Sequence, residues 1–508
     1  MQTDPGPKVA RLANASRSAR VTEERITQGR PAVGQAVRRR DILARIAGGL
    51  LLPALADCAE HDVTSAAAAS AAADNLAGTM TVIVDQTSGG PSIEQGYAGF
   101  SYEKSSLRTG FFTAANQPLV RLFRRLGVSL LRLGGNSVDR IGWQTGGGVG
   151  PANIDALATF LQATGWTVLY GINLATNTQA GAAEEACYVA RSLGHHLYAF
   201  EIGNEPDAYA FNHLRPPSYS YRDFIKEWTG FAQAVRQAVP QARLTGPASA
   251  WHETSWTVPF AKDAGHEIIL LTQHYYRDNG LAPRSTLGLL LAGDPALPDL
   301  LDPLRQASGA AGIEDGYRLT EANSFYDGGA PHISNTFGTA LWAIDFLFAN
   351  ARHGSSGVNF HGGGASPGYT PLADDGRAVI EVRPEYYGML LFSFMGAGRL
   401  LSVAQSTSRF AVSAYAMAGR ARTWIMLVNR EPFARIAVEI RPGRNIETAQ
   451  FTTLSAPALD SVSDVTLNGA SIEADGTWSP APSATMPVPS GSVHVTLGPA
   501  SAILVETG

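Results

Sequence analysis

Phe200-Glu201-Ile202-Gly203-Asn204-Glu205-Pro206-Asp207 is the stretch on which the reading of this chain turns. The apolar run from Leu197 to Ile202 reads as a buried parallel strand, and it stops abruptly at Gly-Asn-Glu-Pro, which places a glutamate at the strand's carboxyl end. Parallel barrels carry their chemistry at that end. Working outward from it, short apolar runs alternate with helical patterns, the signature of repeated βα units. Eight strands are predicted: 97–103, 130–135, 167–174, 197–205, 243–247, 268–276, 317–321 and 358–362. The stretches 118–126, 154–163 and 221–238 between them carry apolar residues at spacings of three and four, as helices do. Eight such units close an α/β barrel, the (β/α)8 or TIM barrel.

From about Gly398 the period changes to two. Phe410-Ala-Val-Ser-Ala-Tyr415, Thr423-Trp-Ile-Met-Leu-Val428, Ile436-Ala-Val-Glu-Ile440 and Val493-His-Val-Thr-Leu497 alternate between Gly, Pro and Asn turns, as in an antiparallel β-sandwich. The run Thr79–Asp85 alternates in the same way ahead of the barrel and is expected to pair with that C-terminal domain. The expected organisation is a leader at 1–57, a linker at 58–76, a strand at 77–95 given to the sandwich, a barrel at 96–395 and the sandwich at 396–508.

The leader is basic. Residues 1–57 hold ten Lys/Arg against five Asp/Glu, so a chain of net charge −5 leaves about −10 on the remainder. So acidic a body disfavours nucleic acid or another polyanion as partner. Arg39-Arg40 followed by the apolar stretch 46–56 resembles a twin-arginine export signal, which predicts an exported protein. That stretch is too short for a permanent membrane span. Leu55-Ala56-Asp57-Cys58 also resembles a lipoprotein cleavage site, with Cys58 as the lipid anchor. Only Cys187 then remains, read as an inert helical residue, and no disulfide is expected. His195, His196 and His274 stand apart from carboxylates at metal-ligand spacing, so neither a catalytic metal nor a cofactor is expected.

A second apolar run, Tyr317-Arg-Leu-Thr320, ends in Glu321-Ala-Asn-Ser324, placing another glutamate 116 residues after the first in an equivalent position. Carboxylates at the ends of strands four and seven face each other across a barrel mouth, the arrangement glycoside hydrolysis uses. A separation near 5 Å would predict retention. Glu201, mid-strand, reads as a buried structural carboxylate, and Asp207 and Asp327 as loop caps.

Through Phe200–Asp207 and Leu319–Ser324, with an alternating segment on each side of the barrel, the chain resembles glycoside hydrolase family 79 of clan A, which includes β-glucuronidases and heparanases. The resemblance runs by motif from about Tyr97 to Gly364. It implies Glu205 as acid/base, Glu321 as nucleophile and Asn204 as the holder of the sugar's 2-hydroxyl. It also implies a uronate loop at Phe325-Tyr-Asp-Gly-Gly329, where Tyr326 and backbone N–H groups such as that of Gly328 receive the carboxylate and Tyr369 closes over it. Glu103 is implied as a sugar-hydroxyl ligand, and Tyr275, in Gln273-His-Tyr-Tyr276, as the group holding the nucleophile. Each has a plainer reading: Tyr326 and Tyr369 as rim packing, Glu103 as an ion-pair partner, Tyr275 or Tyr276 as core.

The substrate expected from the resemblance carries glucuronic acid, as an oligosaccharide or a conjugate. The strand-end loops hold scattered Arg140, Arg215 and Arg277 but no basic run. An exo-acting β-glucuronidase therefore suits the chain better than a heparanase-like endo-enzyme gripping sulfates. A catalytically inactive carbohydrate-binding barrel is the alternative from another class.

Overall fold

The computed structural model describes residues 76–508. The expected export signal at Arg39-Arg40, the anchor at Cys58 and the Ala/Ser linker lie outside the described residues. Among the described residues no helix is long and apolar enough to cross a membrane.

Eight parallel strands close a barrel: Ala98–Glu103, Leu130–Gly134, Thr167–Ile172, Leu197–Ile202, Leu244–Ser249, Leu270–Tyr276, Tyr317–Asn323 and Val358–Gly362. The eighth pairs with both the seventh and the first, which completes the ring. Helices cross between successive strands and cover the outside, among them Tyr221–Ala238. That helix starts where Asp223 accepts hydrogen bonds from the Ser220 N–H and hydroxyl, a capping box. Its Phe224, Trp228, Phe231, Ala232 and Val235 lie on one face and are buried against the barrel.

Several observed strand ends differ from those expected, and two of the differences bear on the site. The fourth strand stops at Ile202 rather than Glu205, because Gly203 takes φ +86° and Glu205 φ +53°, left-handed conformations that leave the ladder. The seventh strand runs on to Asn323, so Glu321 sits within it and is held on both sides by neighbours.

The C-terminal domain is one continuous sheet of eleven strands folded over its own core. Strand Gly398–Gln405 makes the fold. Arg399–Leu401 pair with Val412–Ala418, while Ser402–Gln405 pair with Leu76–Asp85. Pairing is mostly antiparallel, but Leu76–Asp85 also runs parallel to Arg435–Arg441, which the alternating pattern alone does not reveal. Alternation divides the labour between the two sides of the sheet. Ala414, Ala416, Ile425 and Leu427 enter the domain's own core, whereas Tyr415, Met417, Met426 and Val428 pack on the barrel. At that seam Tyr415 stacks on Phe348 at 4.0 Å and donates a hydrogen bond to Asp345.

Candidate active site

Arg132 occupies the middle of the second strand, Leu130-Leu-Arg-Leu-Gly134, and points into the barrel. It is fully buried and joins three elements. Its Nε donates to Glu201 at 2.5 Å, one terminal nitrogen to Glu321 at 2.7 Å and the other to Asn204 Oδ1 at 2.8 Å. Glu201, read from sequence as a buried structural carboxylate, has this role in the structure, with the Thr320 hydroxyl on its second oxygen. The ion pair is the floor of the site.

Above it, one oxygen of Glu205, one of Glu321 and a ring nitrogen of His274 lie within 4.8 Å of one another. The Asn204–Glu205 turn is held from several directions. Asp139 accepts the Asn204 N–H at 2.9 Å and the Tyr209 hydroxyl at 2.7 Å, and the Glu205 N–H donates to the Ala248 carbonyl. Glycine is required at 203, because besides the positive φ a Cβ there would lie 2.8 Å from the Tyr209 hydroxyl. A left-handed glutamate costs about 1–3 kcal/mol of backbone strain, which these contacts offset.

Glu321 accepts from the Tyr276 hydroxyl at 2.8 Å on one oxygen and from Arg132 on the other, with His361 Nδ1 at 3.5 Å. Tyr275, expected to hold this carboxylate, does not. Side chains alternate along the sixth strand, so His274 and Tyr276 face inward while Tyr275 turns outward to stack on Phe346 and donate to Asp294. His274, expected to stand apart from carboxylates, lies 3.0 Å from Glu205 by its Nδ1. These two carboxylates and the imidazole have the separation of a metal-ligand set. Each carboxylate oxygen facing Arg132, Tyr276 or His274 is, however, already engaged by the protein.

The two glutamates are driven apart in acidity. Burial raises the Glu205 pKa well above the ordinary carboxyl range, and the charges of Glu321 and Asp207 push the same way. Burial opposes ionisation of Glu321 too, but His361, His274, Arg132 and the Tyr276 hydroxyl outweigh it, and its pKa falls far below normal. His274 is itself pushed down to about 4 by burial. One carboxyl is thus kept as an acid and the other as an anion. Two carboxyls in that state at that separation can protonate a leaving oxygen and attack the carbon behind it.

Around this pair the first strand contributes Glu103, whose carboxylate accepts the Asn136 and Ser137 N–H groups and lies 4.0 Å from His361. Tyr369 sits 5.7 Å from the Tyr276 ring. Burial raises its hydroxyl pKa, and Glu321, Glu103 and Glu205 push in the same direction, which puts Tyr369 among the three carboxylates. Its backbone N–H donates to the Gly328 carbonyl at 3.1 Å, tying the eighth loop to the one bearing Tyr326. Asp327 accepts from the Asn279 side chain and Asp207 from three backbone N–H groups, as loop caps do.

No family model matches the chain. Curated relatives do. It is 27% identical to a β-glucuronidase of Aspergillus niger over 273 residues, 48% of this chain and 49% of that one. It is also 27% identical to the heparanase of Gallus gallus over 281 residues, 51% and 50%. The chain resembles glycoside hydrolase family 79. The alignments span about half the length of the curated relatives it matches. Among solved structures, the 4-O-α-L-rhamnosyl-β-D-glucuronidase of Fusarium oxysporum superposes with TM-score 0.71 at 17% identity, covering 84% of this chain and all but 1% of that one. A family 51 arabinofuranosidase of Xanthomonas axonopodis does so with TM-score 0.63 at 17% identity, covering 85% of this chain. These likenesses establish the fold.

Proposed function

We propose that the protein is a retaining, exo-acting β-glucuronidase. One observation carries this reading: two carboxyls within 4.8 Å whose surroundings keep Glu205 protonated and Glu321 ionised. Glu321 attacks the anomeric carbon while Glu205 gives its proton to the glycosidic oxygen, and the leaving group departs. Glu205, now the base, takes a proton from water, which attacks the glycosyl ester and frees Glu321. Tyr276 and Arg132 hold Glu321 in line, and Arg132 also fixes Asn204 by its Oδ1, which turns the amide nitrogen away for a sugar hydroxyl.

The uronate is assigned to Tyr326, Tyr369 and the N–H groups around Gly328, with Glu103 on a sugar hydroxyl. Relatives named β-glucuronidase support the sugar. Exo action is supported by how four arginines of the strand-end loops are occupied. Arg215 pairs with Glu227, Arg277 with Asp294, Arg284 with Asp278 and Arg383 with Glu381, so their charges are answered within the protein and offer little to a sulfated chain. Hydrolysis of an aryl β-glucuronide beside the matching glucoside and xyloside, with the anomer of the first-formed sugar followed by NMR, tests the proposal. A preference for the neutral sugars overturns the uronate, and an α-configured first product overturns retention.

A further inference from the structure

Large apolar side chains stand exposed on three consecutive strand-end loops. Phe211 follows the fourth strand, Trp251 the fifth and Leu281 the sixth, with 62%, 46% and 72% of their surface open. Phe211 and Trp251 meet edge to face at 6.3 Å, and Trp251 meets Tyr326 at 6.4 Å, so aromatic rings line the mouth from the fourth loop to the seventh. The turn carrying Leu281 is fastened to the same edge by the Gly280 N–H donating to the Tyr326 carbonyl. Single exposed apolar residues are ordinary, but a joined set at the mouth of a site is not.

The position of this set follows from Asp207, two residues beyond Glu205. Its carboxylate accepts the N–H groups of Ala250, Trp251 and His252 at 2.8, 2.9 and 3.1 Å, which locks the Trp251 backbone to the loop that carries Glu205. Phe211 belongs to that loop as well. Since Glu205 protonates the departing oxygen, the leaving group has to lie on its side of the site, across Phe211 and Trp251.

We propose that Phe211, Trp251 and Leu281 form a leaving-group subsite for a planar, apolar, aromatic aglycone. The inference rests on the acid/base role assigned to Glu205. An aromatic ring is favoured over a further sugar because a sugar needs hydrogen-bond partners around its edge, and the carboxylates of these loops are already committed. Asp207 holds backbone, Asp278 holds Arg284, and Asp327 holds Asn279.

The test compares wild type with Trp251→Ala and Phe211→Ala in the full chain, on 4-methylumbelliferyl β-glucuronide and on methyl β-glucuronide. For the aryl substrate kcat/KM should fall roughly five- to tenfold, carried by KM, with methyl glucuronide within about twofold and Trp251→Phe restoring most of the loss. Equal losses on both substrates, or none on the aryl one, overturn the subsite. An equal loss on a glucuronate-capped oligosaccharide overturns the aromatic assignment. If wild type prefers an aryl glucoside or xyloside, the uronate reading fails, and the same aryl-to-methyl comparison on that sugar still judges the subsite. Calorimetric binding of free 4-methylumbelliferone requires no turnover, and unchanged binding by Trp251→Ala also overturns it.

Discussion

His274 Nδ1 lies 3.0 Å from Glu205 Oε1, joining the sixth strand to the turn beyond the fourth. Burial keeps the ring's pKa near 4, so over most of the working range it meets the carboxyl as a neutral group. A neutral partner brings no positive charge to favour the carboxylate, while Glu321 and Asp207 both oppose it. Glu205 is thereby left to burial, which favours the acid form.

The pH dependence follows with a definite sign. A carboxyl raised in the folded enzyme stays a competent acid until pH climbs through that raised value, and a lowered one stays a nucleophile until pH falls far below the usual range. The kcat/KM profile should therefore show an alkaline limb from Glu205, displaced well above ordinary glutamate, and an acid limb from Glu321, displaced below it. In Glu205→Gln, assayed on an activated aryl glycoside, the alkaline limb should vanish. Its persistence at the same pH would assign it to another group.

Glu321→Gln should lose several orders of magnitude in kcat with substrate binding nearly intact, because the amide fills the same space but cannot form the glycosyl ester. Mass spectrometry with a slow 2-fluoro glycoside should find the label on wild-type Glu321 and none on the variant. A label on any other residue would contradict the assignment.

Glu205→Ala should spare the first step for leaving groups that need no proton, and external azide should restore turnover by taking the place of activated water. The checks are a plot of rate against leaving-group acidity, steeper in the variant, and recovery of a glycosyl azide. A flat plot without azide rescue would remove Glu205 from the acid/base role.

Tyr326→Phe removes one donor to the proposed uronate site. The expected effect is a ten- to thousandfold drop in kcat/KM for a β-glucuronide, about 1.4–4 kcal/mol, with little change on a β-glucoside. Equal losses on both would make Tyr326 a packing residue beside Trp251.

Arg132→Met leaves Glu201 buried without its counter-charge, and breaking such a pair costs about 3–5 kcal/mol. Urea unfolding should show that loss. Because a cation no longer stabilises ionised Glu321, the acid limb of any residual activity should move upward. An unchanged midpoint would mean that the barrel floor draws its stability elsewhere.

The parts legible in the sequence share a physical reason. Strands buried on both faces are largely apolar, so the eight runs stand out, and Gly203-Asn204-Glu205-Pro206 marks a sharp exit from one of them. What escaped depends on contacts made across the barrel. Arg132 was visible as a charge amid Leu130, Leu131 and Leu133, yet its partners lie 69 and 189 residues away. Tyr275 and Tyr276 are adjacent and chemically identical. Only the inward phase of the strand, shifted by an irregularity between Gln273 and His274, decides which one meets Glu321. His274 looked isolated because its neighbour is 69 residues distant.

Leu76–Asp85 lies between Gly398–Gln405 and Arg435–Arg441, so the earliest described strand has both of its neighbours far downstream in the sequence. On a ribosome adding roughly 5–20 residues per second, that strand emerges tens of seconds before anything exists for it to pair with. Its apolar Met80, Val82 and Val84 must wait that long with no core to enter. Sheet assembly is therefore a late event, and until it happens these apolar side chains are open to aggregation.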